Sequence, residues 1–267
     1  MIKADTHLHT SFSGDCDEDM ENVIRSGISR GLDILCFTEH MDKDYPVEGL
    51  FDLDCDSYRK RYLEMRDRYE DNITLLWGVE LGLLPWLADW CSSYVNQYPF
   101  DFIIGSVHNP GNVDPYYPEY FEGRSEEEAY TEYFTESLAC LEAFSDIDAL
   151  GHMDYVVRYG PNKNKEYSYK KYSEYIDPIL KFIIEKGIAL EVNSKGYAKG
   201  LGEPNPCRDI IKRYKEMGGE LITIGSDAHL AANVAEDFDR TQQLILDCGF
   251  RYYAVFTGRT PKLYPLG

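Results

Sequence analysis

The sequence predicts an α/β fold in which seven strand–helix pairs close into a barrel, and three observations predict it. Short apolar runs near 2–6, 33–38, 74–80, 101–107, 146–151, 187–193 and 220–226 have the composition of buried parallel strands. Stretches of helical period lie between and after them, near 18–31, 55–71, 86–98, 125–143, 169–186, 205–218 and 231–248. All six histidines fall where one of these strands runs out. Strand ends on one rim of a barrel converge on one point, and seven pairs favour a barrel over an open sheet.

Taken in order, the first strand, through Ile2-Lys3-Ala4-Asp5, runs into His7 and His9. The helix after it places Met20, Val23, Ile24 and Ile28 at three- and four-residue spacings and stops at Gly31. Strand two, Ile34 to Thr38, leads to Glu39 and His40, and strand three, Leu75 to Val79, ends in Glu80. Strand four leads from Phe102 to His108, and strand five from Ile147 to His152. The segment Tyr155 to Tyr175, rich in Lys, Tyr and Asn, reads as a long loop reaching into the next helix; loops beyond about 12 residues usually carry function or are disordered. That helix ends at Lys186-Gly187, and strand six continues through Glu191-Val192-Asn193-Ser194. Strand seven, Leu221 to Ser226, delivers Asp227 and His229. A last run, Tyr252 to Phe256, is an eighth strand or a closing arm. With no low-complexity linker and no internal repeat, residues 1–267 read as one domain.

Twenty-seven basic against forty-seven acidic side chains leave a net charge of −20. Such a field repels a polyphosphate backbone, so long nucleic acid is not an expected partner. A small phosphorylated metabolite is still allowed, because bound cations reverse the local sign. The seven cysteines form no C-x-x-C pair. The start, Met1-Ile2-Lys3-Ala4-Asp5, lacks a basic-then-apolar leader, and no apolar run nears the ~20 residues a membrane helix needs. The expectation is a cytoplasmic protein with reduced thiols and no membrane contact.

One histidine at a strand end is weak evidence; six, with carboxylates beside most of them, are not. His7-x-His9 puts two rings on one face of a strand, and Asp227-Ala228-His229 repeats that geometry with a carboxylate. Together His7, His9, His40, Glu80, His108, His152, Asp227 and His229 exceed what one catalytic zinc uses, so two or three divalent ions are expected. Zinc, manganese and iron all accept such mixed imidazole and carboxylate ligands.

The motifs His7-Leu8-His9-Thr10, Thr38-Glu39-His40, Gly105-Ser106-Val107-His108, Gly151-His152-Met153-Asp154 and Gly225-Ser226-Asp227-Ala228-His229 resemble, in order, those of the polymerase-and-histidinol-phosphatase (PHP) superfamily. Phe12-Ser13-Gly14-Asp15 and Glu191-Val192-Asn193-Ser194 are similar to the histidinol-phosphate phosphatase branch. The resemblance implies a distorted seven-stranded β/α barrel of PHP type with a trinuclear site. It implies one metal on His7, His9, Glu80 and Asp227, a second on Glu80, His108 and His152, and a third on His40, His229 and Asp15. Asp17 is the alternative to Asp15. Where the family commonly has Thr-Asp-His, this chain has Glu39, read as a candidate contact for a cationic group of the substrate.

The implied reaction is hydrolysis of a phosphate monoester, L-histidinol phosphate, in histidine biosynthesis. Hydroxide bridging two ions would attack phosphorus in line, and Asp227 or a metal-held water would protonate the leaving alkoxide. Arg158, six residues past His152, is the expected phosphate grip, with Lys195 and Lys199 next. Tyrosines such as Tyr116, Tyr117, Tyr155 and Tyr159 are candidates for stacking on an imidazole. Three alternatives stay open: a phosphoesterase for nucleotides or short oligonucleotides, an amidohydrolase-like C–N hydrolase, and a non-catalytic relative. The second usually depends on a carboxylated lysine, and none stands beside His108 at the end of strand four.

Overall fold

The computed structural model describes residues 1–267 throughout. Seven strands lie in one sheet in sequence order: β1 (Ala4–Leu8), β2 (Ile34–Met41), β3 (Thr74–Gly82), β4 (Phe102–Ser106), β5 (Ala149–Leu150), β6 (Ala189–Asn193) and β7 (Ile222–Gly225). Every neighbouring pair is parallel. Between the first and last strands, the Asp227 N–H donates to the His7 carbonyl at 2.8 Å and the His9 N–H to the Ala228 carbonyl at 3.0 Å. A parallel bridge between Leu8 and Ala228 thus nearly closes the barrel. The strands are buried on both faces, which is why they read as continuous apolar runs instead of alternating ones.

The helices are α1 (Met20–Ser29), α2 (Cys55–Tyr69), α3 (Ala88–Gln97), α4 (Glu126–Ala143), α5 (Tyr169–Lys186), α6 (Lys195–Ala198), α7 (Arg208–Glu216) and α8 (Phe238–Asp247). Their starts follow local chemistry. Asp19, Asp54 and Ser168 accept backbone N–H groups at the first turns of α1, α2 and α5, and Ser125 with Glu128 forms a capping box on α4. Gly187 ends α5 at φ +70°, a left-handed cap that costs a residue without Cβ little.

The structure departs from the sequence pattern in four places. The expected helix 205–218 begins only at Arg208, because Asn205 is spent elsewhere: its N–H and carbonyl pair with Asn193, and its side chain holds Arg158. The expected helix 231–248 splits, since Ala235 and Asp237 adopt positive φ; the freed Ala231 and Ala235 N–H groups go to the carboxylates of Glu18 and Asp5. The loop expected over 155–175 holds a short 3₁₀ turn, Tyr155–Arg158, and ends where α5 begins. Tyr252 to Phe256 is no eighth barrel strand. It belongs to β8 (Tyr252–Thr257), which pairs antiparallel with β9 (Thr260–Pro265) in a separate hairpin. The hairpin caps the end of the barrel where the strands begin. Phe256 stacks on Phe102, Arg259 reaches Asp146 and Asp148, and the Tyr253 hydroxyl accepts the Lys3 N–H. With that end sealed, the opposite rim is left for chemistry.

Register sets that rim. His40 on β2 lies directly beside Glu80 on β3. Gly225 on β7 allows β1 a close approach: a Cβ there would sit 2.3 Å from the His7 Cβ. All seven cysteines are buried and unpaired. No helix is long and apolar enough to cross a membrane.

Candidate metal centre

The strand ends, with the loop after β1 that carries Asp15, gather the nine expected ligands, Glu80 among them, into one cluster. Oε2 of Glu80 lies 3.1 Å from His7 Nε2, 3.4 Å from His9 Nε2 and 3.1 Å from His40 Nδ1. Oε1 lies 3.2 Å from His108 Nε2 and 2.9 Å from His152 Nε2, and accepts the Ser106 hydroxyl at 2.6 Å. Glu80 thus faces two groups of imidazoles with its two oxygens. Asp227 Oδ1 lies 3.7 Å from His9 Nε2. On the outer side, Asp15 Oδ2 lies 3.1 Å from His229 Nε2 and 3.8 Å from His40 Nε2, so Asp15, not Asp17, faces these rings. The groupings are looser than expected: His9 stands within reach of His40 and His229, His40 of Glu80 and His108, and His7 of Glu80 and His152.

The donor set fits divalent cations. Nδ1 of His7 faces Glu191 at 2.5 Å, Nδ1 of His9 faces the Ser13 hydroxyl at 3.0 Å, and Nδ1 of His108 faces Asp42 at 2.6 Å. Partners on Nδ1 hold the proton there and turn the Nε2 lone pairs inward. His7 Nε2 and His9 Nε2 then meet at 3.0 Å, an approach that two lone pairs resist unless a cation or proton lies between them. The Nδ1 atoms of His40 and His152 are buried with no hydrogen-bond partner.

Electrostatics supports the same reading. Burial opposes charge on His7 and His108, but carboxylates outweigh it: Glu191 and Glu80 for His7, Asp42 and Glu80 for His108. Both are held well above the ordinary histidine range. His9 is pushed well below that range by burial and by His229 and His40. Without metal the site therefore stores protons that an ion must displace, so acid weakens metal binding. Burial would raise Asp227, yet Lys195 and Arg158 hold it well below the carboxylate range. An ionised Asp227 is a proton acceptor first, and can donate only after taking one up. Its own backbone sits at φ +52°, a position that Asp tolerates better than most residues.

The predicted substrate contacts separate into three placed in the cleft and one outside it. The cleft above Glu80 has a volume of about 480 Å³, and Arg158, Lys195 and Lys199 line it. Arg158 is buried and spreads its fork over Asp227 (2.9 Å), Asn193 (2.9 Å) and Asn205 (2.8 Å). Lys195 Nζ reaches the Asp227 carbonyl at 2.5 Å, its Oδ1 at 3.3 Å and His229 Nδ1 at 2.9 Å. Lys199 Nζ rests over the Tyr159 ring at 5.0 Å, and burial, Arg158 and Lys195 lower its pKa. Glu39 corrects the expectation. It is fully buried beneath the site, where it accepts the Thr10 N–H at 2.9 Å and the hydroxyls of Thr10 (2.5 Å) and Ser13 (2.6 Å). Because the Ser13 proton goes to Glu39, Ser13 is left to accept from the His9 ring and from the His40 N–H at 3.0 Å. Glu39 orients metal-facing histidines and meets no substrate.

Sequence reasoning also missed Asp42, Glu191 and Asp114. Glu191, inside the apolar run Ile188 to Val192, carried a signal: a carboxylate buried in a strand needs a partner. It has three, the His7 ring, the His152 N–H at 2.8 Å and the Asn193 side-chain amide at 3.2 Å. Asp42, two residues past His40, lies on the same face of β2 and could have been found by alternation.

Comparison with known proteins agrees with this geometry. The PHP domain family matches residues 5–195. A probable histidinol-phosphatase of Clostridium acetobutylicum is 36% identical, over 92% of this chain and 94% of its own. The histidinol-phosphatase of Lactococcus lactis is 32% identical, over 97% and 96%. A crystal structure of histidinol phosphate phosphatase from Lactococcus lactis, complexed with zinc, L-histidinol and phosphate, superposes with a TM-score of 0.91 at 31% identity, covering 97% of this chain and 98% of that one. Fold, rim and relatives together place this chain in the PHP domain family.

Proposed function

We propose that the protein is a metal-dependent phosphomonoesterase that hydrolyses L-histidinol phosphate to L-histidinol and phosphate, in the cytoplasm, as a step of histidine biosynthesis. One observation carries the proposal: nine metal-competent side chains, Glu80 among them, cluster at the floor of a cleft whose wall holds Arg158, Lys195 and Lys199. The whole chain, residues 1–267, acts as one PHP domain, because β7, Asp227 and His229 all lie beyond the family match. The relatives named for this substrate align over nearly their full length.

His7, His9, Glu80 and Asp227 would hold one divalent ion, Glu80, His108 and His152 a second, and Asp15, His40 and His229 a third. When bound, zinc, manganese or iron supplies Lewis acidity, neutralising phosphoryl oxygens and lowering the pKa of water. The protein supplies the rest. Arg158 has N–H groups beyond the three it spends on Asp227, Asn193 and Asn205, and these can grip phosphoryl oxygens. Lys195 and Lys199 add positive charge on the same wall. The leaving alkoxide would take its proton from Asp227, once that carboxylate has been protonated, or from a water held at the site.

The test is phosphate release from L-histidinol phosphate by metal-loaded protein, with nucleoside monophosphates and p-nitrophenyl phosphate run alongside. The expected result is a kcat/KM for histidinol phosphate at least about 100-fold above the others, a discrimination of ~2.7 kcal/mol. Comparable slow rates on all three would keep the phosphoesterase and remove the substrate.

A further inference from the structure

The cleft has a second wall. Asp114, in the loop after β4, lines it and is 4% exposed. Its Oδ2 accepts the Tyr45 hydroxyl at 2.9 Å; its Oδ1 accepts the Tyr116 N–H at 2.7 Å and the Tyr155 hydroxyl at 3.3 Å. All three donors are neutral. The cations of the cleft are committed elsewhere, Arg158 and Lys195 to Asp227 and Lys199 to the face of Tyr159. Burial pushes the Asp114 carboxyl up; the nearby His108 ring offsets part of that, but no cation touches the carboxylate itself. A carboxylate offers about four acceptor positions, and three donors leave room for one more.

Tyr155 divides the two walls. Its hydroxyl points to Asp114, while the Arg158 guanidinium lies over its ring at 5.4 Å. Tyr155 also packs on His108 and Tyr159, with centroids 5.4 and 5.1 Å apart. A ligand on the metal floor therefore meets positive charge on one side of this ring and a buried negative charge on the other. That polarity suits a zwitterionic ester, with its phosphate towards Arg158 and a cation towards Asp114.

We infer that Asp114 is the specificity-determining residue of the cleft, pairing with the ammonium that an amino-alcohol phosphate carries on the carbon next to its ester CH₂. The inference rests on the phosphatase reading proposed above and names the group that reading left unassigned once Glu39 proved to be buried beneath the site. An ammonium supplies a directly bonded cation and the fourth hydrogen bond. Esters without a cation at that carbon, nucleoside monophosphates among them, leave the fourth acceptor position of the buried Asp114 unfilled, and are rejected for that reason.

The test compares L-histidinol phosphate with its deamino analogue, 3-(imidazol-4-yl)propyl phosphate, in wild-type and Asp114→Asn protein loaded with metal. The wild type is expected to favour the amino ester in kcat/KM by about 30-fold or more, and Asp114→Asn to reduce that ratio to about threefold or less. Asp114→Glu, which keeps the charge, is expected to retain more of the preference than Asp114→Asn, and it replaces the Asn variant should that one fail to fold. A wild type without preference overturns the assignment, as does an Asn variant that slows both esters equally, since a merely structural residue would behave that way. Hydrolysis of p-nitrophenyl phosphate with neither imidazole ester turned over removes the substrate reading, and this inference with it. Equal turnover of the two imidazole esters removes the Asp114 assignment alone.

Discussion

Glu80→Gln is expected to lower kcat/KM at least about 10³-fold, on the order of 4 kcal/mol of transition-state stabilisation, and to strip metal from the site. Glu80 is the one carboxylate whose two oxygens meet both inner groups of rings, His7, His9 and His40 on one side and His108 and His152 on the other. The amide keeps the shape and loses the charge. Burial would raise Glu80, but His7 and His40 hold it far below its usual range, so the anion is built into the site. Metal analysis beside steady-state kinetics checks this. A variant with full metal content and near-normal kcat/KM would mean that the carboxylate does not bridge.

Arg158→Ala carries the second large effect, and it acts on two quantities. Removing one partner of a buried ion pair usually costs roughly 3–5 kcal/mol of stability, and here Lys195 still offsets part of the Asp227 charge, so the lower end is expected. Activity should fall by roughly 2–4 kcal/mol in kcat/KM while the metal stays bound. Arg158→Lys should not restore it, because three N–H groups on one atom cannot replace donors spread over three nitrogens facing Asp227, Asn193 and Asn205 and still leave any for phosphate. Thermal unfolding and kinetics on the same preparation separate the two effects. A destabilised variant with unchanged kinetics would make Arg158 a structural strut and take it out of phosphate binding.

Much of this was legible in the chain. A strand has a period of two, so His7 and His9 had to share a face, and parallel strands of a barrel had to aim their ends at one rim. Both were readable without a partner in view. The buried partners were harder, because their roles exist only across elements. Asp42 at the end of β2 serves His108 beyond β4, and Asn205, before α7, steers Arg158 from the loop after β5. Glu39 misled for the same reason. Nothing local reveals that Thr10 and Ser13 fold back over it and shut it off from the cleft. Tyr252 to Phe256 has the continuous apolar run of a buried strand, and only its pairing with β9 shows it to be a cap.

The stoichiometry of the site is the most direct check on the metal centre. Metal-free protein, titrated with zinc or manganese while phosphate release from L-histidinol phosphate is followed, should be inactive at first. Activity should then rise to a plateau at two to three equivalents per chain, the number that nine clustered ligands can hold. Turnover by the metal-free protein, or a plateau at one equivalent, would contradict this reading of the metal centre.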